Sequence, residues 1–279
     1  MKSDLIIDVQ PTEISLALLE DDRLMEVSRE ERSQVFSVGN IYLGRVKKVM
    51  PSLNAAFIDI GCEKDAFLHY LDLGSGFLRT NTFTKAILDK KIPSPTLDEL
   101  YSIEEVSKDG QIADYLKIDD YILVQVIKEP INTKGPRLTA EISLAGRNMV
   151  LLPLGQKVMV SNKIKVEAEK SRLRQLMQSI KPNGYGIIVR TLSENKRVAE
   201  LDGELKVLIK RWEEIYQKLR NLHSAEVMLL SAEIGRTIGI LRDLFNPSFE
   251  SIVVNDEEIY NDITAYVGLI APESRNIVH

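Results

Sequence analysis

The sequence predicts a multidomain α+β protein that contains a small β-barrel. Three observations support this prediction. The chain has 279 residues, which is long for one compact domain. Its first half is rich in short strand patterns, whereas its second half places amphipathic helices between further strands. Its 44% apolar and 28% charged residues are typical of a globular protein and argue against disorder.

The first segment reads DLIIDVQPTEISLALLEDDRLMEVSREER and alternates apolar with polar residues. Turn signals interrupt the alternation at Pro11-Thr12 and at Asp21-Asp22. This pattern predicts three antiparallel strands.

The barrel is predicted from five short strand patterns, among them GRVKKVMPSLNAAFIDIG and DAFLH. Strands of this kind specify an OB-type fold, whose second and third strands form the face that meets nucleic acid. Phe57 and Phe67 lie at equivalent points of these two strands, where a base stacked on each ring would gain about 1–3 kcal/mol. The alternative is that both rings belong to the barrel core.

The rest of the chain is predicted to alternate between strands and helices. A polar, acidic insertion covers roughly residues 74–120, and its least structured part reads KKIPSPTLDELYSIEEVSKDG. Later helices read AEKSRLRQLMQSI, ended by Pro182, and DGELKVLIKRWEEIYQKLRNL. The tail predicts strand, helix, strand and helix, with Asn255 as the cap of the last helix.

Charge and cysteine content narrow the classes of function. The net charge is −5, but residues 128–190 hold twelve Lys and Arg against four Glu and no Asp, a local charge of +8. This asymmetry indicates a basic binding surface, with a solvated helix face as the alternative. The single Cys62 excludes disulfides and a Cys-rich zinc site, which favours a reducing cytoplasm. The absence of a long apolar run predicts no membrane span, and MKSDLIIDVQ is not a signal peptide.

Long motifs carry a family resemblance. The stretch NIYLGRVKKVMPSLNAAFIDIGCEKDAFLHYLDL resembles the RNA-binding OB domain of the ribonuclease E/G family of bacterial endoribonucleases. The stretches KEPINTKGPRLTAEISLAGRNMVLLP and GYGIIVRT are similar to the segments that follow that domain in the family. The similarity is strongest over residues 40–72 and 128–153.

The resemblance implies a 5′-sensor region, which recognises the monophosphate at the end of an RNA through Gly146, Val150, Arg190 and Thr191. Glycine allows close backbone approach and can present its N–H. The planar guanidinium of Arg190 suits phosphate oxygens, and Thr191 adds a hydroxyl. Val150 would pack near the terminal nucleotide. The polar break in EISLAGRNMVLLP would then form one wall of a phosphate pocket, and VRT the other.

The resemblance also implies basic contacts to the bound strand from Lys128 and Lys134. The alternative is that these lysines lie at an exposed hairpin tip, where lysines are common, and have no role in binding. Lys163 stands where the family carries an arginine near the sensor pocket, so it is a candidate auxiliary contact. Asn162 replaces a second arginine, which is a departure from the family pattern.

The implied domain organisation interrupts one subdomain with two others. Residues 1–38 and 223–279 would form an RNase H-like subdomain, residues 39–140 the OB-fold domain with its insertion, and residues 141–222 the 5′-sensor α/β region. Asp8 stands on the first strand, where a true RNase H site holds a metal. Two-metal chemistry needs several convergent carboxylates, and no motif supplies them here. We therefore expect no metal site, and an autonomous metal-dependent nuclease using Asp8 is the alternative function.

The resemblance places catalysis outside this chain. In the family, a DNase I-like domain with a magnesium-binding aspartate pair follows the point that corresponds to His279, and a structural zinc link then pairs subunits. We therefore expect a chain that binds single-stranded RNA, preferably with a 5′-monophosphate, without a catalytic residue or cofactor of its own. It is expected to be a monomer that is inactive alone, whereas the full-length protein is expected to be a homo-oligomer. A third hypothesis is a translation-type RNA-binding protein with no link to RNA decay. The sensor motif argues against it.

Overall fold

A computed structural model describes residues 2–31, 36–90, 97–131, 134–233, 236–246 and 248–279. The strands are β1 (Ser3–Val9), β2 (Glu13–Glu20), β3 (Arg23–Glu31), β4 (Ile41–Met50), β5 (Ala55–Asp59), β6 (Ala66–His69), β7 (Tyr121–Lys128), β8 (Arg137–Thr139), β9 (Leu144–Ala145), β10 (Met149–Pro153), β11 (Val158–Val160), β12 (Tyr185–Val189), β13 (Met228–Ser231) and β14 (Phe249–Val254). The helices are α1 (Phe77–Leu88), α2 (Leu97–Tyr101), α3 (Glu167–Ile180), α4 (Val198–Asn221), α5 (Arg236–Leu244) and α6 (Glu257–Ile270). The predicted α+β class is confirmed.

The chain divides into two compact units. One consists of Met1–Val35 with Ile234–His279, and the other of Phe36–Glu233. The finer four-part division by residue number remains a prediction. Within the described part of the chain, every helix is too short or too polar to cross a membrane.

The first unit is built on a four-stranded sheet in the order β14-β1-β2-β3. The three strands predicted in the first segment are confirmed as antiparallel neighbours, and β14 joins β1 in parallel. Asp21 and Asp22 form the turn between β2 and β3 with φ of 48° and 61°, a left-handed conformation that Asp tolerates in tight hairpins. Alternation along β1 buries Leu5 and Ile7 in a core shared with α5 and α6.

The cap predicted at Asn255 is wrong. Asp256 caps α6 instead, where its Oδ1 accepts the N–H of Ile259 at 3.1 Å. Because β14 runs parallel to β1, Asn255 emerges beside the end of β1. There its Oδ1 accepts the N–H of Val9 at 2.7 Å, and its Nδ2 donates to Asp8 Oδ1 at 2.7 Å. The RNase H-like identity of this unit remains a prediction.

The second unit contains the predicted barrel. Strands β4 to β8 pair in the order β4-β5-β6-β8-β7, and β7 pairs back with β4 to close the barrel. This closed five-stranded arrangement is consistent with an OB fold. The barrel interior is filled by alternate side chains of every strand, each no more than 1% exposed: Val46, Ile58, Leu68, Val126 and Leu138.

The acidic insertion contributes to the core, which the sequence pattern did not indicate. Its helix α1 packs against β7 and α4. Phe83 on α1 stacks on Trp212 and Tyr216 of α4, with ring centroids 6.4 and 5.7 Å apart. Residues 91–96, within the stretch predicted to be least structured, lie outside the described residues.

A second sheet follows the barrel in the order β11-β12-β10-β9, and we call it the β9–β12 sheet. Helices α3 and α4 pack against these strands. The helix-covered face holds fully buried side chains of Leu144, Met149, Leu151, Ile187 and Val189. The opposite face carries side chains that are partly or well exposed: Ala145, Val150, Met159 and Ile188. One face of this sheet therefore lies open.

Candidate functional site

Strand register places five side chains in one row across the barrel, and we call this the barrel row: Lys48, Phe57, Phe67, Arg137 and Lys128. Each is the paired neighbour of the next, from β4 through β5, β6 and β8 to β7. Their sequence neighbours Ile58, Leu68 and Leu138 are fully buried. Because side chains alternate along a strand, the row lies on the outside of the barrel.

The two phenylalanines form the middle of the barrel row. Their ring centroids lie 5.9 Å apart at an interplanar angle of 69°. Both side chains are partly exposed, and neither belongs to the buried core of the barrel. The structure therefore does not support the alternative that Phe57 and Phe67 are core aromatics. Their role in stacking remains a prediction.

Two β-bulges turn lysines to the outer surface. Along β4, Lys48 is two residues from the buried Val46, and simple alternation would direct it into the barrel. The register shifts between these residues, so that Lys48 pairs with Phe57. The same shift between Val126 and Lys128 on β7 brings that lysine outward. The cations at both ends of the row thus depend on irregularities of the strands.

The cations of the barrel row differ in their partners. Arg137 binds Asp72, with Nε 2.9 Å and Nη2 2.8 Å from the same carboxylate oxygen. Lys48 and Lys128 are exposed, and across the described ranges of the chain neither forms an ion pair. These two lysines are therefore the ones whose charge is open to an anionic ligand.

Lys134 lies in a tight hairpin beside this face. Its backbone exchanges hydrogen bonds of 2.9 and 3.1 Å with that of Ile131, while residues 132–133 lie outside the described residues. The next residue, Gly135, packs against the backbone of Asp65 so closely that a Cβ would clash with its carbonyl oxygen. The hairpin is thus anchored next to β6, which carries the second phenylalanine of the row, and the Lys134 side chain is exposed.

Three segments meet at one end of the β9–β12 sheet, which we call the sheet end: residues 146–148, 161–163 and 190–191. The N–H of Arg190 donates to the carbonyl of Asn148 at 2.8 Å. The N–H of Ser161 donates to the carbonyl of Val189 at 2.9 Å. The structure therefore brings together the segments that the sequence predicts to bind the 5′-phosphate.

The predicted phosphate-site residues take different places at the sheet end. Val150 pairs with Ile188 on the open face of the sheet. Arg190 follows Ile188 by two residues in extended conformation, so it is placed on the same face. The hydroxyl of Thr191 makes no hydrogen bond to any described residue, and its side chain is partly exposed. Lys163 is exposed in the turn after β11.

The turn at Gly146 already holds an anion, the carboxylate of Glu204 on α4. The N–H groups of Arg147 and Asn148 both donate to it, the latter at 3.1 Å to each oxygen, and Asn148 Nδ2 donates at 2.7 Å. The N–H of Gly146 donates to the carbonyl of Met149 at 2.8 Å. A Cβ at Gly146 would clash with the Glu204 carboxylate. The turn at residues 146–148, which is the polar break in EISLAGRNMVLLP, is therefore built around an internal carboxylate. The sequence pattern does not predict this contact.

The region around Asp8 is lined by amides. Gln10 Nε2 lies 2.9 and 3.0 Å from its two carboxylate oxygens, and Asn255 Nδ2 lies 2.7 Å from one of them. Among the residues that the structure describes, no group of three or more His, Cys, Asp or Glu side chains is arranged to hold a metal ion.

Comparison with known proteins agrees with the resemblance in the motifs. A family model described as Ribonuclease E/G family matches residues 143–279. Ribonuclease G of Haemophilus influenzae is 31% identical over 270 residues, which cover 97% of this chain and 51% of that protein. Ribonuclease E of a Synechocystis species is 37% identical over 235 residues, 84% of this chain and 30% of that protein. Ribonuclease G of Escherichia coli is 30% identical over 273 residues, 98% of this chain and 52% of that protein.

The chain thus spans about half, or less, of the length of these curated relatives. The similarity covers nearly the whole chain, and it includes both the barrel and the β9–β12 sheet. The chain belongs to the ribonuclease E/G family.

Proposed function

We propose that this chain is the RNA-binding and 5′-monophosphate-sensing portion of a ribonuclease E/G-type endoribonuclease, which cleaves single-stranded RNA in RNA processing and decay. Family membership and relatives named as ribonucleases support the ribonuclease role. The proposal includes a cytoplasmic location, a magnesium-dependent hydrolytic step and homo-oligomerisation of the whole protein, which the family resemblance implies.

The barrel row is the observation that carries RNA binding. Two adjacent, partly exposed rings offer stacking surfaces for bases without selecting their sequence. Lys48 and Lys128, which form no ion pair with any residue that the structure describes, stand at the two ends of the row, where they would meet backbone phosphates. Aromatic rings inside a line of cations are the usual arrangement for single-stranded nucleic acid.

The sheet end supports discrimination of the RNA 5′ terminus. A terminal monophosphate carries about −1.5 to −2 charges at pH 7. Arg190 and Thr191 would bind it directly, with Val150 beside the terminal nucleotide and Lys163 as an auxiliary cation. The N–H of Gly146 donates to the carbonyl of Met149, and Glu204 accepts the next two N–H groups of the turn, so we assign Gly146 to the shape of this wall rather than to a hydrogen bond with the phosphate.

Binding of short single-stranded RNAs with different 5′ ends tests the proposal. A hydrogen bond to a charged group contributes about 1.5–3 kcal/mol net of desolvation. We therefore expect a several-fold to hundredfold preference for 5′-monophosphate over 5′-hydroxyl RNA. Arg190→Ala should abolish this preference.

Arg220→Ala is the matched control, because it removes the same charge from an exposed position on α4. On α4, Glu204 contacts the sheet end. Residue 220 lies about 24 Å further along the helix, given a rise of about 1.5 Å per residue, so it is remote from the proposed site. The control should retain the preference of the unmutated chain. Equal affinities of the unmutated chain for both RNAs would contradict the sensing role.

A further inference from the structure

We propose that Glu204 is a positioning residue of the 5′-phosphate site, which fixes Arg190 without touching the ligand. This inference rests on the proposed sensing function and adds a component that the sequence motifs did not contain. Glu204 lies on α4, 57 residues after the Arg147 N–H that it binds. Four features of the structure support this role of Glu204.

First, Glu204 is held by a rigid element. It lies between Leu201 and Leu205, which are at most 1% exposed in the core beneath the β9–β12 sheet. Helix α4 contacts both β9 and β10, the strands that the turn connects. The packing of α4 therefore brings the Glu204 carboxylate to the turn. Because Leu201 and Leu205 make this packing, a substitution of Glu204 should leave the helix in place.

Second, the carboxylate fixes the conformation of the turn. It accepts the backbone N–H groups of Arg147 and Asn148 together with the side-chain amide of Asn148. Successive N–H groups that point to one side form an anion-binding concavity, and here the chain fills it with its own anion. Hydrogen bonds to a charged carboxylate are roughly twice as strong as those between neutral groups.

Third, Asn148 transmits this order to the opposite wall of the site. Asn148 is 8% exposed. Its carbonyl accepts the N–H of Arg190 at 2.8 Å and the hydroxyl of Ser193 at 2.6 Å. Ser193 is fully buried and ends the short 3-10 helix that begins at Thr191. The backbone carbonyl of Asn148 thus positions both residues assigned to the phosphate, Arg190 and Thr191. Glu204 in turn holds Asn148 by accepting hydrogen bonds from its backbone N–H and its side-chain amide.

Fourth, the two sides of the site differ in charge, which decides where a phosphate can lie. A phosphate placed in the concavity of the turn would meet the Glu204 carboxylate and be repelled. A phosphate on the side of Arg190 and Thr191 meets a cation and a hydroxyl that makes no hydrogen bond within the described part of the chain. The alternative is a gate, in which Glu204 leaves the turn and the phosphate takes its place. The two arrangements predict opposite effects of removing the carboxylate.

The test measures the ratio of affinities for 5′-monophosphate and 5′-hydroxyl RNA in Glu204→Ala and Glu204→Gln. If Glu204 positions Arg190, the ratio in Glu204→Ala falls below about twofold. Glu204→Gln should give an intermediate ratio, because its amide oxygen still accepts one N–H while its NH₂ group faces donors. Glu214→Ala, at an exposed position of the same helix, is the matched control and should keep the ratio of the unmutated chain.

A second measurement needs no RNA. Hydrogen exchange of the Arg190 amide in Glu204→Gln should be faster than in the unmutated chain, whereas amides of the barrel should keep their rates. This variant is nearly isosteric, so it serves where Glu204→Ala does not fold. Unchanged Arg190 exchange in Glu204→Gln, or a folded Glu204→Ala with an unchanged ratio, would overturn the inference. An increased ratio would establish the gate instead.

Failure of the underlying function has a different signature. A missing preference in the unmutated chain removes the sensing function, and the positioning role with it. A preference that is present in the unmutated chain and persists in both Glu204 variants removes the positioning role alone.

Discussion

The barrel row and the sheet end use two different ways of building a binding surface. The row takes one side chain from each of five neighbouring strands, and its order follows from their pairing. At the sheet end, the carbonyl of Asn148 joins two loops, and a carboxylate from a helix distant in sequence holds the turn that contains Asn148. A surface built by register depends on the strands alone, whereas a surface built by a distant partner depends on tertiary packing.

This difference explains what the sequence could predict. Strand alternation and turn signals predict the barrel, and they place Phe57 beside Phe67. They do not predict that Lys48 and Lys128 face outward, because bulges override the alternation there. Glu204 is one of several acidic positions on a helix, and no spacing distinguishes it from its neighbours. Its partner is fixed by how α4 packs, which a one-dimensional pattern does not contain.

The acidic insertion also depends on tertiary packing that the sequence pattern does not contain. Its composition favours a solvated loop, yet Phe83 becomes part of an aromatic cluster with α4. Asn255 is a further example, because the parallel pairing of β14 with β1 gives its amide a backbone partner that outweighs helix capping. In each case, a contact distant in sequence decided between local alternatives.

The largest expected effect separates the two faces of a single strand. Leu68→Ala should lower the free energy of unfolding by about 2–5 kcal/mol, because Leu68 is fully buried in the barrel. Phe67→Ala, one residue earlier, should cost less, since its ring is already partly exposed. Thermal and urea unfolding of the two variants provide the comparison. If Phe67→Ala is as destabilised as Leu68→Ala, the barrel row is not an outer surface at this position.

The next effect tests whether the row and the sheet end act independently. Phe57→Ala and Phe67→Ala should each weaken RNA binding by about 1–3 kcal/mol, or about 5- to 150-fold, for both kinds of 5′ end. Stacking does not sense the terminus, so the ratio of the two affinities should stay constant. Phe57→Leu keeps an apolar side chain without a ring and should behave like Phe57→Ala. A ratio that changes with either phenylalanine would show that the two surfaces are coupled.

A pH effect is expected near the sheet end. Glu169 on α3 makes two hydrogen bonds to Arg172, of 2.6 and 2.7 Å, and accepts the N–H of Asn195 at 2.9 Å. These hydrogen bonds hold the pKa of the Glu169 carboxyl down at about 2. A depressed carboxyl pKa stabilises the fold above the unfolded value of about 4.3, and this contribution is lost as the pH falls towards 2.

Comparison of Glu169→Gln with the unmutated chain measures this contribution. The unmutated chain should be more stable by about 1–2 kcal/mol at pH 7, and the difference should disappear below pH 2. Glu167→Gln is the matched control on the same helix, because Glu167 is well exposed and, among the described residues, pairs only with Lys170 at 3.6 Å. A difference for Glu169→Gln that does not depend on pH would assign its effect to packing rather than to charge.

The smallest effect concerns the lysines at the ends of the barrel row. If Lys48 and Lys128 contact phosphates, each Lys→Ala change should weaken binding by only a few-fold at physiological salt. It should also reduce the slope of log affinity against log salt concentration by about 0.7, the value for one phosphate contact on a single strand. Lys210→Ala, an exposed position on α4, is the control for general charge and should leave the slope intact. An unchanged slope in both row variants would confine RNA contact to the two rings, and the outward turn produced by the bulges would then have no role in binding.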